Sequence, residues 1–254
     1  MNTPPPAPVA RYGEHPDQVA NLHLPRGDGA PWPCVVLIHG GFWRARWDRT
    51  LMTPLAIDLA RRGIAAWNIE YRRVGQEGGG WPGTFEDVAA GIDSLADAAE
   101  IDPQRVVTCG HSAGGHLALW LATRDRLPAG APGDPARVLP RAVVSQAGVC
   151  DLVAAYEAGL GAGAVGELLG GNPTELPERY HVASPVGWAP LGIPQLLIHG
   201  DADEIVPPRQ SELHAARDPR ATLLLVSGAD HFDVIAPDHE AWNRATSWIE
   251  EVLQ

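Results

Sequence analysis

Three side chains in this sequence have the types and settings needed for nucleophilic acyl transfer. Ser112 lies in Gly110-His111-Ser112-Ala113-Gly114, with a glycine two positions before it and another two after. The residues before it, Arg105–Cys109, are short, apolar and β-branched, which predicts a buried strand. The residues after it predict a helix from Ala113 to Thr123, with Leu117, Trp120 and Leu121 at helical spacing. A strand that becomes a helix with almost no loop strains the residue at the corner. Side chains beside it would collide, so glycine or alanine is required there. Such a corner holds a serine hydroxyl clear at the top of a sheet. A phosphate cradle would instead ask for a lysine beside the serine, and none is near.

A serine hydroxyl needs help to attack at neutral pH. It needs a base, a carboxylate to orient the base, and N–H donors for the oxyanion. Donors are expected where the predicted strand Pro33–His39 runs into His39-Gly40-Gly41-Phe42-Trp43. Two glycines let the backbone approach a carbonyl oxygen closely. The candidate oxyanion donors are the N–H groups of Gly41, Phe42 and Ala113, with Gly40 shaping the loop and His39 bracing it. The carboxylate is sought after the predicted strand Gln195–His199, which ends in Gly200-Asp201-Ala202-Asp203-Glu204. Asp203 is the choice over Asp201, because the third residue after the glycine can swing back toward the strand ends. A calcium loop is excluded, since the later glycine and terminal glutamate are missing. Among ten histidines, His231 follows the predicted strand Ala221–Val226 and a glycine-containing turn. It lies 28 residues after Asp203, room for one helix and one strand. His111 and His116 flank the serine and His199 sits in a strand end, so their cases as the base are weaker.

These groups need a parallel sheet to bring strand ends together. Apolar runs and helical patterns alternate along the 254 residues, which predicts a single α/β domain with helices on both faces. Further strands are expected at Gln18–Leu24, Ala65–Tyr71 and Arg141–Gln146. Helices are expected at Arg49–Arg62, Thr84–Glu100 and Asp238–Leu253, the second opening on a capping-box-like Thr84-x-x-Asp87. Residues 149–190 break the alternation with Gly, Ala and Pro, and read as a cap or lid over the site, with short helical pieces near Leu152–Glu157 and Val165–Leu169. The loop Gly75–Gly83 is a candidate second rim. Residues 1–11 form a proline-rich head expected to be disordered.

Nineteen basic against 31 acidic residues give a net charge of −12, which argues against nucleic acid or an anionic membrane surface as partner. Cys34, Cys109 and Cys150 are few, odd in number and widely spaced, and read as buried apolar residues rather than a disulfide set. Neither a signal-peptide pattern nor a membrane-length apolar run is visible, so a cytoplasmic location is the expectation.

"HGGFW", "GHSAGG", "HGDADEIVP" and "GADHF" together resemble the α/β-hydrolase superfamily, from about Tyr12 onward. The chain order serine, acid, histidine is that superfamily's. The resemblance is to the branch of arylformamidase-like enzymes, small carboxylesterases and hormone-sensitive-lipase-like esterases. Phe42 stands where the lipase-like group has a third glycine, which is closer to the formamidase-like pattern. "NIEYRR", from Asn68 to Arg73, also resembles this group, with Glu70 and Arg72 expected in structural ion pairs.

The resemblance implies an α/β-hydrolase fold: a mostly parallel twisted sheet of about seven or eight strands with a small cap insertion. It implies a serine hydrolase acting on carboxylic esters of small acyl or aryl substrates through an acyl-enzyme on Ser112, with Asp203 and His231 completing the triad. No metal or organic cofactor is expected. The alternative is an aryl formamidase of the N-formylkynurenine type. A small peptidase and a non-catalytic binding module rank below both. Trp43, Trp81 and Trp188 are the candidate substrate-binding walls.

Overall fold

The computed structural model describes residues 7–254. Eight strands form one sheet in the order β1-β2-β4-β3-β5-β6-β7-β8. They are β1 (Val9–Arg11), β2 (Val19–His23), β3 (Trp32–Ile38), β4 (Ala65–Ile69), β5 (Ile101–His111), β6 (Ala142–Gln146), β7 (Gln195–Gly200) and β8 (Ala221–Val226). β1 and β2 are antiparallel additions at one edge, and β4 through β8 run parallel with β3. The helices are α1 (Thr53–Arg61), α2 (Gly83–Asp93), α3 (Ala113–Leu121), α4 (Leu152–Glu157), α5 (Ala164–Leu169), α6 (Pro177–Ala183), α7 (Arg209–Ala215) and α8 (Glu240–Leu253).

The alternation of side chains along each strand divides the core in two. Cys34, Val36 and Ile38 of β3 face one layer with Phe85, Val88 and Ile92 of α2 and Leu117 and Trp120 of α3. Val35 and Leu37 face the other, with Leu55 and Leu59 of α1 and Trp242, Ala245 and Ile249 of α8. Two buried faces explain why the central strands read as continuous apolar runs. The three cysteines are free and buried, and burial raises each thiol above its usual range.

The chain steps from β3 outward to β4, then crosses back to lay β5 on the other side of β3. At such a switch point two neighbouring loops diverge and open a crevice at the strand C-termini. The loops that diverge here begin at His39 and at Ser112.

The structure departs from expectation at several places. Residues 1–6 of the proline-rich head lie outside the described residues, but Val9–Arg11 are not disordered. They pair with β2 through Val9↔Asn21 and Arg11↔Val19, giving an open sheet edge the partner it needs. The expected capping box at Thr84 does not form. Thr84 Oγ1 instead donates to the Arg72 carbonyl, and Asp87 accepts from the Arg72 guanidinium at 2.7 and 2.9 Å. Tertiary partners have taken both side chains. The expected helices Arg49–Arg62 and Thr84–Glu100 each divide into a 3₁₀ turn and an α-helix.

Residues 149–190 carry α4, α5 and α6, and the two expected helical pieces fall on α4 and α5. This segment is tied to the core at several points. His116 bonds the Ala183 carbonyl at 2.8 Å, Trp120 Nε1 donates to that of Val182 at 3.1 Å, and the Gln210 side chain accepts from the N–H groups of Cys150 and Asp151. The loop Gly75–Gly83 is held against it, with Trp81 N–H donating to the Leu168 carbonyl at 2.7 Å.

Gly114 is where α3 meets β3: a Cβ there would lie 2.0 Å from the Ile38 carbonyl oxygen. Gly114→Ala is therefore expected to lower stability by at least about 2 kcal/mol, a typical overpacking cost, as read by urea denaturation. Unchanged stability would show that α3 can step away from β3 freely.

Candidate active site

Ser112 sits between β5 and α3 with φ 55° and ψ −117°. This positive-φ conformation is costly for a residue with a side chain, and it persists because its surroundings over-determine it. Ser112 N–H donates to the Gln146 carbonyl at 2.8 Å, and Ser112 C=O accepts from His116 N–H at 3.1 Å. Behind the corner, a Cβ on Gly110 would lie 2.0 Å from the Gly114 carbonyl oxygen. The sharp turn thus rests on the two glycines that frame the serine.

The loop after β3 touches this corner directly. A Cβ on Gly40 would come within 3.0 Å of Ser112 Cβ and 2.9 Å of His111 Nδ1. Gly41, Phe42 and Trp43 then follow with φ of 117°, 52° and 56°. Among the described residues no acceptor takes the Gly41 or Phe42 N–H. Ala113 opens α3, where the first N–H groups have no acceptor within the helix. His39 fixes the base of the loop. Its Nδ1 bonds the Gly40 carbonyl and its Nε2 the Glu70 carboxylate, each at 2.8 Å. Its ring stacks on Tyr71, whose hydroxyl donates to the His39 carbonyl at 2.8 Å. Glu70 also accepts from Arg49 N–H at 3.0 Å and lies 3.3 Å from Arg73. Burial would raise its carboxyl, but His39, Arg73 and the Arg49 N–H outweigh this and hold it below the usual range. Glu70 and Arg72 do enter ion pairs, the first with His39 and Arg73, the second with Asp87.

Asp203 and His231 come from the loops after β7 and β8. These loops are pressed together: a Cβ on Gly200 would lie 2.1 Å from the Ala229 carbonyl oxygen, and Ala202 N–H donates to that oxygen at 3.1 Å. Asp203 Oδ2 lies 2.6 Å from His231 Nδ1. Asp203 Oδ1 accepts from Ile205 N–H at 2.8 Å and Val206 N–H at 2.9 Å. His199 Nε2 stands 3.3 Å from Oδ2. Burial would raise this carboxyl, yet the hydrogen bonds from His199, His231 and Val206 hold it well below the carboxylate range. Asp201 has a different task. It is exposed and accepts from Gly228 N–H at 2.6 Å.

His111 Nε2 meets the His231 carbonyl at 2.8 Å, with the two rings 4.6 Å apart. Burial and the neighbouring His231 push the His111 imidazole down to about 3, so His111 stays neutral beside His231. Among the described residues no hydrogen bond joins Ser112 Oγ to His231 Nε2. Such contacts are commonly loose before substrate arrives. The Nδ1 face is engaged, and Nε2 stays available.

A family comparison matches the BD-FAE model to residues 20–217. The chain belongs to the BD-FAE family. Among its relatives is the protein YfhR of Salmonella typhi, an uncharacterized protein 27% identical over 208 residues, which cover 80% of this chain and 65% of YfhR. The esterase LipQ of Mycobacterium tuberculosis is 27% identical over 199 residues, covering 72% of this chain and 45% of LipQ. The BD-FAE chain thus spans about two thirds or less of the length of these relatives. Solved structures share the fold. A carbohydrate esterase from gut microbiota, in truncated form, superimposes with a TM-score of 0.84 at 23% identity, covering 98% of this chain and 97% of the other. Esterase Est2 of Thermogutta terrifontis superimposes with a TM-score of 0.78 at 24% identity, covering 98% and 92%.

Two of the three candidate wall tryptophans of this BD-FAE chain, Trp43 and Trp81, need correction. Trp43 is buried beneath the loop, its Nε1 donating to His116 Nδ1 at 3.2 Å, so it has no face to offer a substrate. Its positive φ turns the side chain into the core. Trp81 packs on Phe85 and lines a surface cleft of about 570 Å³ with Pro82 and residues 130–135, none of them from the Ser112, Asp203 or His231 loops. Trp188 lies against His181 and donates to its carbonyl at 2.9 Å. Three positions that were assigned no site role from the sequence stand beside these groups. His199 braces Asp203, a role signalled only by its place just before Gly200-Asp201. Trp47 and Phe232 stand beside the loops of Gly41 and His231.

The lowered Asp203 carboxyl has a consequence for acid stability. Its folded pKa lies below the unfolded value near about 3.9, so its contribution is present above that value and is lost as pH falls. Wild type should therefore lose stability more steeply than Asp203→Asn from about pH 5 downward. The difference should approach one proton, about 1.4 kcal/mol per pH unit. Parallel curves of unfolding free energy against pH would contradict the assignment.

Proposed function

We propose that this chain is a serine hydrolase of carboxylic esters, with Ser112 as nucleophile, His231 as base and Asp203 as the carboxylate that orients it. The observation that carries the reading is the 2.6 Å bond between Asp203 and His231, made by loops at the same sheet edge as a serine held at φ 55°. The relative LipQ and the fold neighbours above, all esterases, support it. So does a probable isoprenylcysteine alpha-carbonyl methylesterase of Arabidopsis thaliana, 29% identical over 126 residues, 48% of this chain and 26% of that protein.

In this mechanism His231 Nε2 takes the Ser112 proton as Oγ attacks the ester carbonyl. Asp203 fixes the Nδ1–H tautomer and stabilises the cationic ring. The N–H groups of Gly41, Phe42 and Ala113 receive the oxyanion; their aim is set beforehand by the braced loop and the first turn of α3. His231 then gives its proton to the departing alcohol, and afterwards activates a water that releases the acid. Residues 149–190 act as a small cap. Supporting this, Arg44, two residues past Phe42, donates to the Gly161 carbonyl at 2.8 Å and pairs with Glu167 at 2.7 Å, and the Phe42 ring lies against Gly161.

Ester rather than amide hydrolysis is the expected activity. An alcohol leaves more easily than an amine, so the triad needs no further specialisation to place the leaving atom. A short-chain aryl ester should outpace an N-formyl arylamine. A preference for the formamide by about tenfold, near 1.4 kcal/mol in transition-state binding, would make the chain a formamidase.

Ser112→Ala should fold and lose about 10⁴ to 10⁶ of turnover. Near-normal turnover in a verified Ser112→Ala preparation would end the serine reading. Asp203→Asn should lower kcat by about 10⁴ through the wrong histidine tautomer, whereas Asp201→Asn should change it little. A larger loss at Asp201 would reassign the carboxylate.

A further inference from the structure

Two large aromatic side chains are exposed among the described residues, Trp47 at 39% and Phe232 at 41%. They stand together, ring centroids 6.1 Å apart and inclined by 39°. Aromatic rings of this size are ordinarily covered, so a solvent-facing pair from two distant parts of the chain is informative. Each is anchored to a different part of the candidate catalytic machinery. Phe232 follows His231, its ring 5.4 Å from that imidazole and 5.6 Å from His111. Trp47 covers Gly41, where an added Cβ would lie 2.8 Å from both Trp47 Cβ and Cδ1. The pair therefore bridges the oxyanion loop and the histidine loop.

Neither ring is exposed through slackness of its loop. The Asp230 carboxylate accepts the N–H groups of Phe232 and Asp233 at 2.7 and 3.0 Å, and Asp233 returns the contact to Asp230 N–H at 2.8 Å. The Trp47 carbonyl accepts from the buried Arg73 guanidinium. Both main chains are fixed while both rings face outward, which is the condition for binding a flat group at low ordering cost.

The chemistry decides which half of an ester lies there. In acylation the Ser112 Oγ–carbonyl carbon bond forms and the bond from carbon to the alkoxy oxygen breaks. The serine proton passes through His231 Nε2 to that alkoxy oxygen. The leaving alcohol must therefore lie beside His231, on the side where Phe232 and Trp47 stand. We infer that Trp47 and Phe232 form a leaving-group subsite that selects esters of aromatic alcohols. This rests on the ester-hydrolase reading above and extends it to the alcohol half of the substrate.

The test compares benzyl acetate with butyl acetate. Both give the same acetyl-enzyme, and their alcohols leave with similar ease, so the ratio of their kcat/KM values reports recognition of the alcohol. Trp47→Ala and Phe232→Ala should each lower the benzyl-to-butyl ratio about fivefold or more, the scale of one lost aromatic contact. Trp47→Phe and Phe232→Tyr, which keep a flat ring, should hold it within about twofold of wild type. Should an alanine variant fail to fold, Trp47→Leu or Phe232→Leu keeps the apolar bulk and reads the same loss. An unchanged ratio, or equal losses on both esters, overturns the subsite while leaving the esterase reading intact. Hydrolysis of neither ester by the wild-type protein overturns both.

Discussion

The close approach of three backbone segments at one point governs this structure. The C-terminus of β3, the C-terminus of β5 and the first turn of α3 meet where Gly40, Gly110, Ser112 and Gly114 crowd together. At three of these four positions a Cβ would lie within 3.0 Å of a neighbouring segment, and the fourth residue is the serine. The space between the segments is fully used, and no side chain larger than a hydrogen fits at Gly40, Gly110 or Gly114 without a shift. The positive φ at Ser112 is thus a product of packing. It is held by the Gln146 carbonyl on one side and by the helix on the other. β3 and β5 run parallel, so both loops emerge at one sheet edge, and the switch in strand order between them lets the loops diverge.

A second constraint concerns charge. Asp203 is buried, and a buried carboxylate is unfavourable unless several donors share it. Here Ile205 N–H, Val206 N–H, His231 and His199 do so. The donors come from β7, the loop beyond it and the loop beyond β8. The same contacts that stabilise the carboxylate therefore hold the histidine loop to the acid loop. Electrostatics and geometry are one arrangement, and Gly200 permits it by letting the two loops touch.

What was legible in the sequence follows from which features are local. Strand ends marked by glycine and followed by Ser112, Asp203 or His231 are local patterns, and the main strands fall within a few residues of their expected limits. β1 was hidden because three residues in a proline-rich setting carry no period, and their pairing depends on β2. Thr84 and Asp87 have capping spacing, but Arg72 offered a better partner from another part of the chain. The tryptophans show the limit most plainly. Trp43 and Trp47 are four residues apart in one loop. Only the backbone turn at Gly41, Phe42 and Trp43 decides that the first points into the core and the second out of it. Residue type and spacing do not encode that choice without the tertiary fold.

The abundance of histidine at this sheet edge has a physical reason. Loops at strand C-termini leave main-chain carbonyls without ladder partners, and a buried carbonyl without a donor is costly. Four buried histidines supply the contact: His39 to Gly40, His111 to His231, His116 to Ala183 and His199 to Val206. Each arises from a strand end or from the helix that follows one; His111 and His116 reach loops distant in the chain, while His39 and His199 hold the loops that directly follow their own strands. A lysine or arginine could also donate, but would bring a fixed charge beside Ser112 and His231. Burial keeps His116 and His111 neutral, at about 4 and about 3. A neutral imidazole can still use its second nitrogen, as His116 does in accepting from Trp43. The edge is in this way stapled by donors that bring no fixed charge beside Asp203 and His231.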